Sequence, residues 1–364
     1  MTMKATDSVW MAQALHLAEL GLFTTTPNPR VGCVLVNDGV VVGEGRHERA
    51  GEPHAEPLAL RAAGDKARGA TAYVTLEPCA HFGRTPPCAD ALIAAGVARV
   101  VVAMQDPNPL VAGQGVAKLR AAGIAVECGL MEIEARALNI GFVTRMSKGL
   151  PWVRSKIAMS LDGRTALANG ESQWITGEAA RRDVHVWRAR SCAVLTGIDT
   201  ILEDDAQLTV RHVATTRQPL RVVLDSHLRI SPKAKLLQGG QALVVAATAD
   251  AEKMVALKQA GAQVVLLTDE SGRVDLLATL RHLASIGCNE VLVEAGSTLN
   301  GALLRSGLVD ELVLYFAPQL LGDMARGMAQ LGELCSLDER VELEWQDVRH
   351  VGKDLRIVVK VKKG

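Results

Sequence analysis

His54-Ala55-Glu56, the later pair Pro78-Cys79 and then Cys88 are what most constrain the fold of this chain. One neutral imidazole and two thiolates suit Zn²⁺, so these distant groups must converge if they share the ion. Three protein ligands leave the fourth tetrahedral position open for a water, whose pKa a catalytic zinc lowers toward ~7. A structural site would need a fourth protein ligand. Glu56 is not required as a ligand once His54, Cys79 and Cys88 complete the set, which frees it for proton shuttling.

A zinc ion that carries two thiolates retains little net positive charge. A nearby carboxylate must therefore take the proton from water and deliver it to a departing amine, which is the logic of zinc nucleobase deaminases. The commonest deaminase signature ends Pro-Cys-x-x-Cys, whereas eight residues lie between Cys79 and Cys88 here. Residues two apart on a helix point to different sides, so His54 and Glu56 are expected together in a first turn after Pro53, with the metal near the helix N-terminus.

The flanking sequence supplies a scaffold. Val31–Val36 and Val40–Val42 read as paired strands around the Asn37-Asp38-Gly39 turn. His54–Ala63 reads as a helix ended by Gly64, Ala72–Leu76 as a strand, and Ala89–Ala95 as a helix ended by Gly96. Cys79 then lies just past a strand and Cys88 at a helix start, where the helix dipole favours anionic sulfur. The strands Val97–Met104 and Ile124–Glu127, with a helix Val116–Ala122 between them, continue an alternation that implies a largely parallel, covered α/β sheet.

At 364 residues the chain suffices for two domains, and its 48% hydrophobic content argues against disorder. The pattern breaks near Ser147-Lys148-Gly149-Leu150-Pro151, which divides the chain into residues 1–147 and 148–364. Forty basic and forty acidic residues cancel, which argues against a broad nucleic-acid surface and for a small substrate. A deaminase acting on RNA bases is the alternative, and a purely structural zinc in a scaffold module is another. Seven cysteines, with neither a secretory signal nor a membrane-length apolar run, point to a reducing cytoplasm. Cys33, Cys128, Cys192 and Cys288 read as core thiols, and Cys335 has no motif around it.

The second half reads as another α/β domain, with strands at Trp152–Met159, Ala193–Thr196, Leu220–Leu224, Ala242–Ala246, Val264–Leu267, Glu290–Val293 and Glu311–Phe316. Val341–Trp345 and Leu355–Val361 resemble a closing antiparallel pair. The stretch from Val291 to Gly301 runs from a strand through a small-residue turn into a helix, whose free N–H groups suit an anion such as a dinucleotide pyrophosphate. Taken singly, that stretch is an ordinary β-α turn and Ser160-Leu161-Asp162-Gly163-Arg164 an ordinary hairpin turn.

Taken together, His54-Ala55-Glu56, Thr75-Leu76-Glu77-Pro78-Cys79, Gly83-Arg84-Thr85-Pro86-Pro87-Cys88, Ser160–Arg164 and Val293-Glu294-Ala295-Gly296 closely resemble the bifunctional riboflavin-biosynthesis deaminase/reductase family over nearly the whole chain. That family's motif carries the Gly-Arg/Lys-Thr-Pro-Pro-Cys insertion, which accounts for the long spacing between Cys79 and Cys88. The resemblance implies a cytidine-deaminase-like three-layer domain that hydrolyses the exocyclic amine of 2,5-diamino-6-ribosylamino-4(3H)-pyrimidinone 5′-phosphate. It implies next a dihydrofolate-reductase-like α/β domain that uses NADPH to reduce the ribosyl group to ribityl, and a homodimer formed through that domain.

Carried over by position, the resemblance assigns His54, Cys79 and Cys88 to zinc and Glu56 to proton transfer. It places Asn28, His81 and Arg84 in the deaminase pocket, with Arg84 suited to a phosphate by its forked donors. Ser172, Arg188, Leu208, Arg211 and Glu294 match substrate positions of the reductase, where two arginines would clamp one phosphate. Ala158, Trp174, Thr200, Asp204, Ser226 and the turn Gly296, Ser297, Thr298, Leu299, Asn300, Gly301 and Ala302 match cofactor positions. Lys156, an inward lysine in an apolar strand, is added to the substrate side near the reacting sugar carbon.

Overall fold

The structure is a computed structural model that describes residues 6–81 and 86–363. These divide into two compact units at Gly149/Leu150.

In the first unit the chain begins with α1 (Asp7–Glu19), β1 (Gly32–Asn37), β2 (Val40–Arg46) and α2 (Ala55–Ala63). It continues through β3 (Thr71–Val74), α3 (Cys88–Ala95), β4 (Arg99–Val102), α4 (Gln114–Ala121) and β5 (Ala125–Cys128), then closes with α5 (Glu132–Leu138) and α6 (Ile140–Lys148). Asp38 (φ 49°) and Gly39 (φ 74°) form the two-residue turn between β1 and β2; positive φ at both is what a tight hairpin turn requires. The sheet order is β2-β1-β3-β4-β5, with β1 antiparallel to both neighbours and β3, β4 and β5 parallel.

Alternation along the strands builds two cores. Cys33, Leu35, Ala72 and Val74 pack with α2, α3 and α4 on one face. Val34, Val36, Tyr73 and Val101 pack with α1, α5 and α6 on the other. The result is a three-layer α/β/α arrangement, set by the period of two along each strand.

The second unit contains β6 (Trp152–Ser160), β7 (Arg164–Ala166), α7 (Glu178–Arg190), β8 (Ala193–Gly197), α8 (Ile198–Asp204), β9 (Leu220–Leu224) and β10 (Ala242–Ala246). There follow α9 (Ala251–Gln259), β11 (Ala262–Leu266), α10 (Leu276–Ser285), β12 (Glu290–Val293), α11 (Ser297–Arg305), β13 (Glu311–Ala317), β14 (Arg326–Gly327), β15 (Leu343–Val351) and β16 (Asp354–Val361). Nine strands form one sheet in the order β11-β10-β9-β8-β12-β6-β13-β16-β15, parallel from β11 to β13 and antiparallel across the closing hairpin. The alternation again makes two faces: Leu195, Val222, Val245 and Val293 lie on one, and Val194, Val223, Val244 and Leu292 on the other. The parallel arrangement directs the ends of β6, β8, β9 and β12 the same way, which gathers the residues following them at one edge.

Candidate active sites

In the first unit, two helix beginnings and one strand end supply the donors. His54 is the extended N-cap residue of α2 (φ −72°, ψ 171°), and Glu56 sits in that helix's first turn. Cys88 is the first residue of α3. Cys79 lies beyond β3, and its sulfur accepts the Cys88 backbone N–H at 3.3 Å. The His54 Nδ1 to sulfur separations are 3.3 Å for Cys88 and 3.7 Å for Cys79, and all three donor atoms lie within 4.8 Å of one another. Zinc–sulfur and zinc–nitrogen bond lengths at a tetrahedral angle require an N···S separation of about 3.6 Å. These residues therefore fit zinc in both donor type and spacing.

The seating of α2 is unusually close. A β-carbon on Gly43 would stand 2.2 Å from the Ala59 carbonyl oxygen, and one on Gly45 2.1 Å from that of Ala55. Only glycine on β2 permits this approach, which fixes the height of His54 above the sheet.

Burial pushes the Glu56 carboxyl up to about 7, so it exchanges protons near neutrality. A hydrogen bond with Cys79 raises the His54 imidazole despite its burial. The Cys88 thiol, hydrogen-bonded to Cys79, lowers the latter well below the ordinary thiol range, while that bond and burial push Cys88 itself up.

Asn28 lies beside this cluster through His47. The Asn28 Nδ2 is 3.1 Å from His47 Nε2, and the His47 ring meets the His54 ring edge-on at 5.5 Å. The other His47 nitrogen is 3.1 Å from the Pro53 carbonyl oxygen, and burial holds its imidazole below the usual histidine range. Sequence reasoning missed His47, for it belongs to no spaced motif; only folding brings β2's end against Pro53-His54. His81 is exposed. Arg84 lies outside the described residues.

In the second unit, Glu294 directly follows β12, and Arg188 stands near the end of α7. Arg188 engages Glu294 through Nε–Oε1 at 2.6 Å and Nη2–Oε2 at 2.9 Å, and donates Nη1 to the Thr209 carbonyl at 3.0 Å. The fork expected to clamp a phosphate is thus occupied by a carboxylate and a loop carbonyl. Burial opposes ionisation of Glu294, but Arg188 and Lys156 more than offset it and hold the carboxyl below its ordinary range. Lys156 stands half-buried on β6; burial lowers its ammonium, which Glu294 in turn favours.

The loop after α8 is tied down beside that pair. Leu208 is buried with φ 54°, and the Arg211 N–H donates to His185 Nδ1 at 3.2 Å. The Gln218 amide pairs with both backbone groups of Val210, at 2.8 and 3.0 Å. Burial, and then the proximity of Arg188, lower Arg211 below the usual guanidinium range, so the two cations do approach one another. His185 is lowered to about 4 by burial and by Arg188, Arg211 and His212, and it is neutral at pH 7.

Of the matched cofactor positions, Ala158 lies two residues beyond Lys156 on β6, on the same face of the strand. Trp174 is 68% exposed, with the Arg181 guanidinium 4.6 Å from its ring centre on one side. Asp204, the last residue of α8, accepts from Gln173 Nε2 at 2.8 Å, and half-buried Ser172 and Thr200 lie nearby in sequence. Ser226 follows β9, its hydroxyl accepting the Val274 N–H at 3.2 Å.

Gly296 is the extended N-cap of α11, and a β-carbon there would meet nothing within 4 Å. Ser297, Thr298 and Leu299 form the first turn of α11, whose N–H groups have no partner within the helix and suit an anion at this opening. Asn300 and Gly301 are turned away from that opening. The Asn300 amide accepts from Ser155 Oγ at 2.8 Å and donates to the Ala295 carbonyl at 3.0 Å. A β-carbon on Gly301 would stand 2.2 Å from the Gln330 carbonyl oxygen. The Ser160–Arg164 turn is a structural link: Asp162 accepts the Gly322 N–H at 2.8 Å.

A three-layer unit holding a His/Cys/Cys centre beside a buried carboxylate, followed on the same chain by a parallel-sheet unit with an anion-ready helix start, is that of a zinc deaminase fused to a nucleotide-dependent reductase. Residues 4–104 match the cytidine and deoxycytidylate deaminase zinc-binding region, and residues 151–357 match the RibD C-terminal domain. The chain is 51% identical over 362 residues to the riboflavin biosynthesis protein RibD of Escherichia coli (strain K12), with 96% of this chain and 98% of that one covered. A solved structure of Acinetobacter baumannii RibD superposes with a TM-score of 0.92 at 48% identity, over 98% of this chain and 99% of that one. The Thermotoga maritima protein described as a diaminohydroxyphosphoribosylaminopyrimidine deaminase/5-amino-6-(5-phosphoribosylamino)uracil reductase superposes at 0.87 with 34% identity, over 98% of this chain and 99% of that one.

The chain belongs to the RibD family, and it is a bifunctional deaminase and reductase of riboflavin biosynthesis. Its first unit is cytidine-deaminase-like and its second is the dihydrofolate-reductase-like RibD reductase domain. Zinc and NADPH are the groups these two parts employ.

Proposed function

We propose that residues 1–147 deaminate 2,5-diamino-6-ribosylamino-4(3H)-pyrimidinone 5′-phosphate, and that residues 148–364 then reduce the ribosyl group to give 5-amino-6-ribitylamino-uracil 5′-phosphate. The observation that carries the first step is the buried Glu56 carboxyl in the first turn of α2, beside the converging His54, Cys79 and Cys88. Zinc, held by those three residues, supplies the Lewis acidity that lowers the pKa of a water toward ~7. Glu56 accepts the proton from the attacking water and passes it to the nitrogen that leaves as ammonia. Asn28, held against His47, orients the ring, while His81 and Arg84 meet the ribose phosphate.

In the second step NADPH supplies the hydride. The N–H groups of Gly296, Ser297, Thr298 and Leu299 would hold its pyrophosphate, with Ala302 one turn further along α11. Ala158, Trp174, Thr200, Asp204 and Ser226 would border the rest of the cofactor, whereas Asn300 and Gly301 shape the cradle from behind. Lys156, whose charged form Glu294 favours, would face the reacting end of the sugar. Arg211 meets the substrate phosphate, with Ser172 and the Leu208 backbone beside it, and Arg188 acts by holding Glu294 and the Thr209 carbonyl.

A homodimer through the second unit is supported by Trp345 (70% exposed) and Val348 (55%), apolar side chains on the edge strand β15. Seven free cysteines support residence in the reducing cytoplasm. Following ammonia release and NADPH absorbance with the diaminopyrimidinone nucleotide tests both activities. Ammonia without NADPH, and oxidation of NADPH only after deamination, are expected; oxidation with no ammonia released would refute the order of steps.

A further inference from the structure

Glu77 belongs to the Thr75-Leu76-Glu77-Pro78-Cys79 motif, yet neither chemical step uses it. Its carboxylate is buried and gathers three backbone N–H groups from one segment: Asp106 at 3.1 Å and Gly113 at 2.9 Å on Oε2, and Val116 at 3.1 Å on Oε1. Its own N–H donates to the Met104 carbonyl at 3.0 Å. Gly113 is the N-cap of α4 and Val116 lies in its first turn, so the negative charge also faces the positive end of that helix.

The clasp is tightened by a close approach. A β-carbon on Gly115 would stand 1.9 Å from the Pro78 carbonyl oxygen, so the first turn of α4 rests directly on the peptide that precedes Cys79. The segment so held carries Asp106, which is near enough for its charge to act with those of His81 and Cys79. Metal sites are tuned by such outer partners, which orient the ligands themselves.

We propose that Glu77 is a positioning residue of the metal centre: by holding residues 106–116 against Pro78, it fixes the Cys79 sulfur relative to His54 and Cys88. This rests on the zinc-deaminase reading. In Glu77→Gln the shape is kept, but one acceptor oxygen becomes an N–H₂ group facing backbone donors. The full-length zinc enzyme is expected to lose metal to a chelator ~10- to 100-fold more readily in this variant, the usual consequence of removing an outer-shell partner.

Its deaminase kcat is expected to fall with little change in KM, and the thiolate-to-metal absorption bands of the cobalt-substituted protein to shift. Reductase turnover on pre-deaminated substrate should stay at the native rate, since a general loss of fold would lower both. Gly115→Ala, which leaves Glu77 intact and displaces the other half of the clasp, is expected to behave alike. Native protein that binds no zinc stoichiometrically would sink the underlying deaminase reading. Native zinc content together with unaltered chelator resistance and cobalt bands in Glu77→Gln overturns the present inference alone. If Glu77→Gln fails to fold by near-ultraviolet circular dichroism, native-like chelator resistance in Gly115→Ala overturns it instead.

Discussion

Arg188 and Glu294 meet fork to fork at 2.6 and 2.9 Å, with only 12% of either side chain exposed, and the same guanidinium reaches the Thr209 carbonyl. The reductase loop that contains Leu208 and Arg211 is therefore attached to the end of β12 through one side chain. Removing one partner from a buried, hydrogen-bonded pair costs about 3–5 kcal/mol. Arg188→Ala should lower the urea stability of the second unit by that order and abolish reduction, and Arg188→Lys should not restore the two-pronged contact. A loss below about 0.5 kcal/mol, the size of ordinary surface substitutions, would contradict this account.

Glu56→Gln removes a proton carrier without removing a metal ligand. Deamination should fall ~10²-fold or more, the usual contribution of a positioned acid/base, while zinc content and reductase turnover stay native. Ammonia release at near-native rate would show that the proton travels by another route.

Extraction of zinc with a strong chelator should end deamination and leave reduction of pre-deaminated substrate intact, because the donors all belong to the first unit. Added Zn²⁺ should restore the lost activity. Equal loss of both activities on chelation would argue for a structural metal.

His185 links pH to stability. Its folded-state value of about 4 lies below the ~6.5 of an unfolded chain, so between these limits the unfolded state binds the additional proton. The stabilisation is complete above pH ~6.5 and is lost as pH falls toward the folded value. Urea midpoints at pH 7 and pH 5 should therefore diverge more in the native chain than in His185→Gln, whose amide oxygen can still accept the Arg211 N–H. Parallel losses in the two proteins would remove His185 from the explanation.

Asn300 joins Ser155 on β6 to Ala295, in the turn that precedes α11. Asn300→Ala should raise the KM for NADPH ~10-fold through loss of these hydrogen bonds, while the KM for the pyrimidine changes little. Steady-state titration of each substrate in turn separates the two; a shift confined to the pyrimidine would refute the assignment.

Local chemistry made much of this molecule readable from its residues. Asp38-Gly39 announced the hairpin, Gly64 and Gly96 the ends of α2 and α3, and the expected positions of His54, Cys79 and Cys88 at helix starts and past a strand are those found. Boundaries moved by a few residues: β3 stops at Val74 rather than Leu76, and β15 runs on to Val351. Helices α5 and α6 went unread because their junction depends on a distant partner. Asn139 between them accepts the Arg30 N–H at 2.8 Å and donates to the Arg30 carbonyl at 2.9 Å. His47 and His185 escaped for the same reason, as did the role of Glu77 within its motif, since each acts on backbone groups that lie near it only after folding. Residue type and order likewise said nothing of whether Arg188 was free, and it is already engaged.

Where α2 crosses β2, two hydrogen atoms on Gly43 and Gly45 occupy places that a methyl group could not. The imidazole is consequently mounted on a platform with no slack beneath it. Enlarging the nucleotide pocket by lifting that helix would part it from the sheet, so divergence toward bulkier bases must come through the connecting segments rather than through this wall.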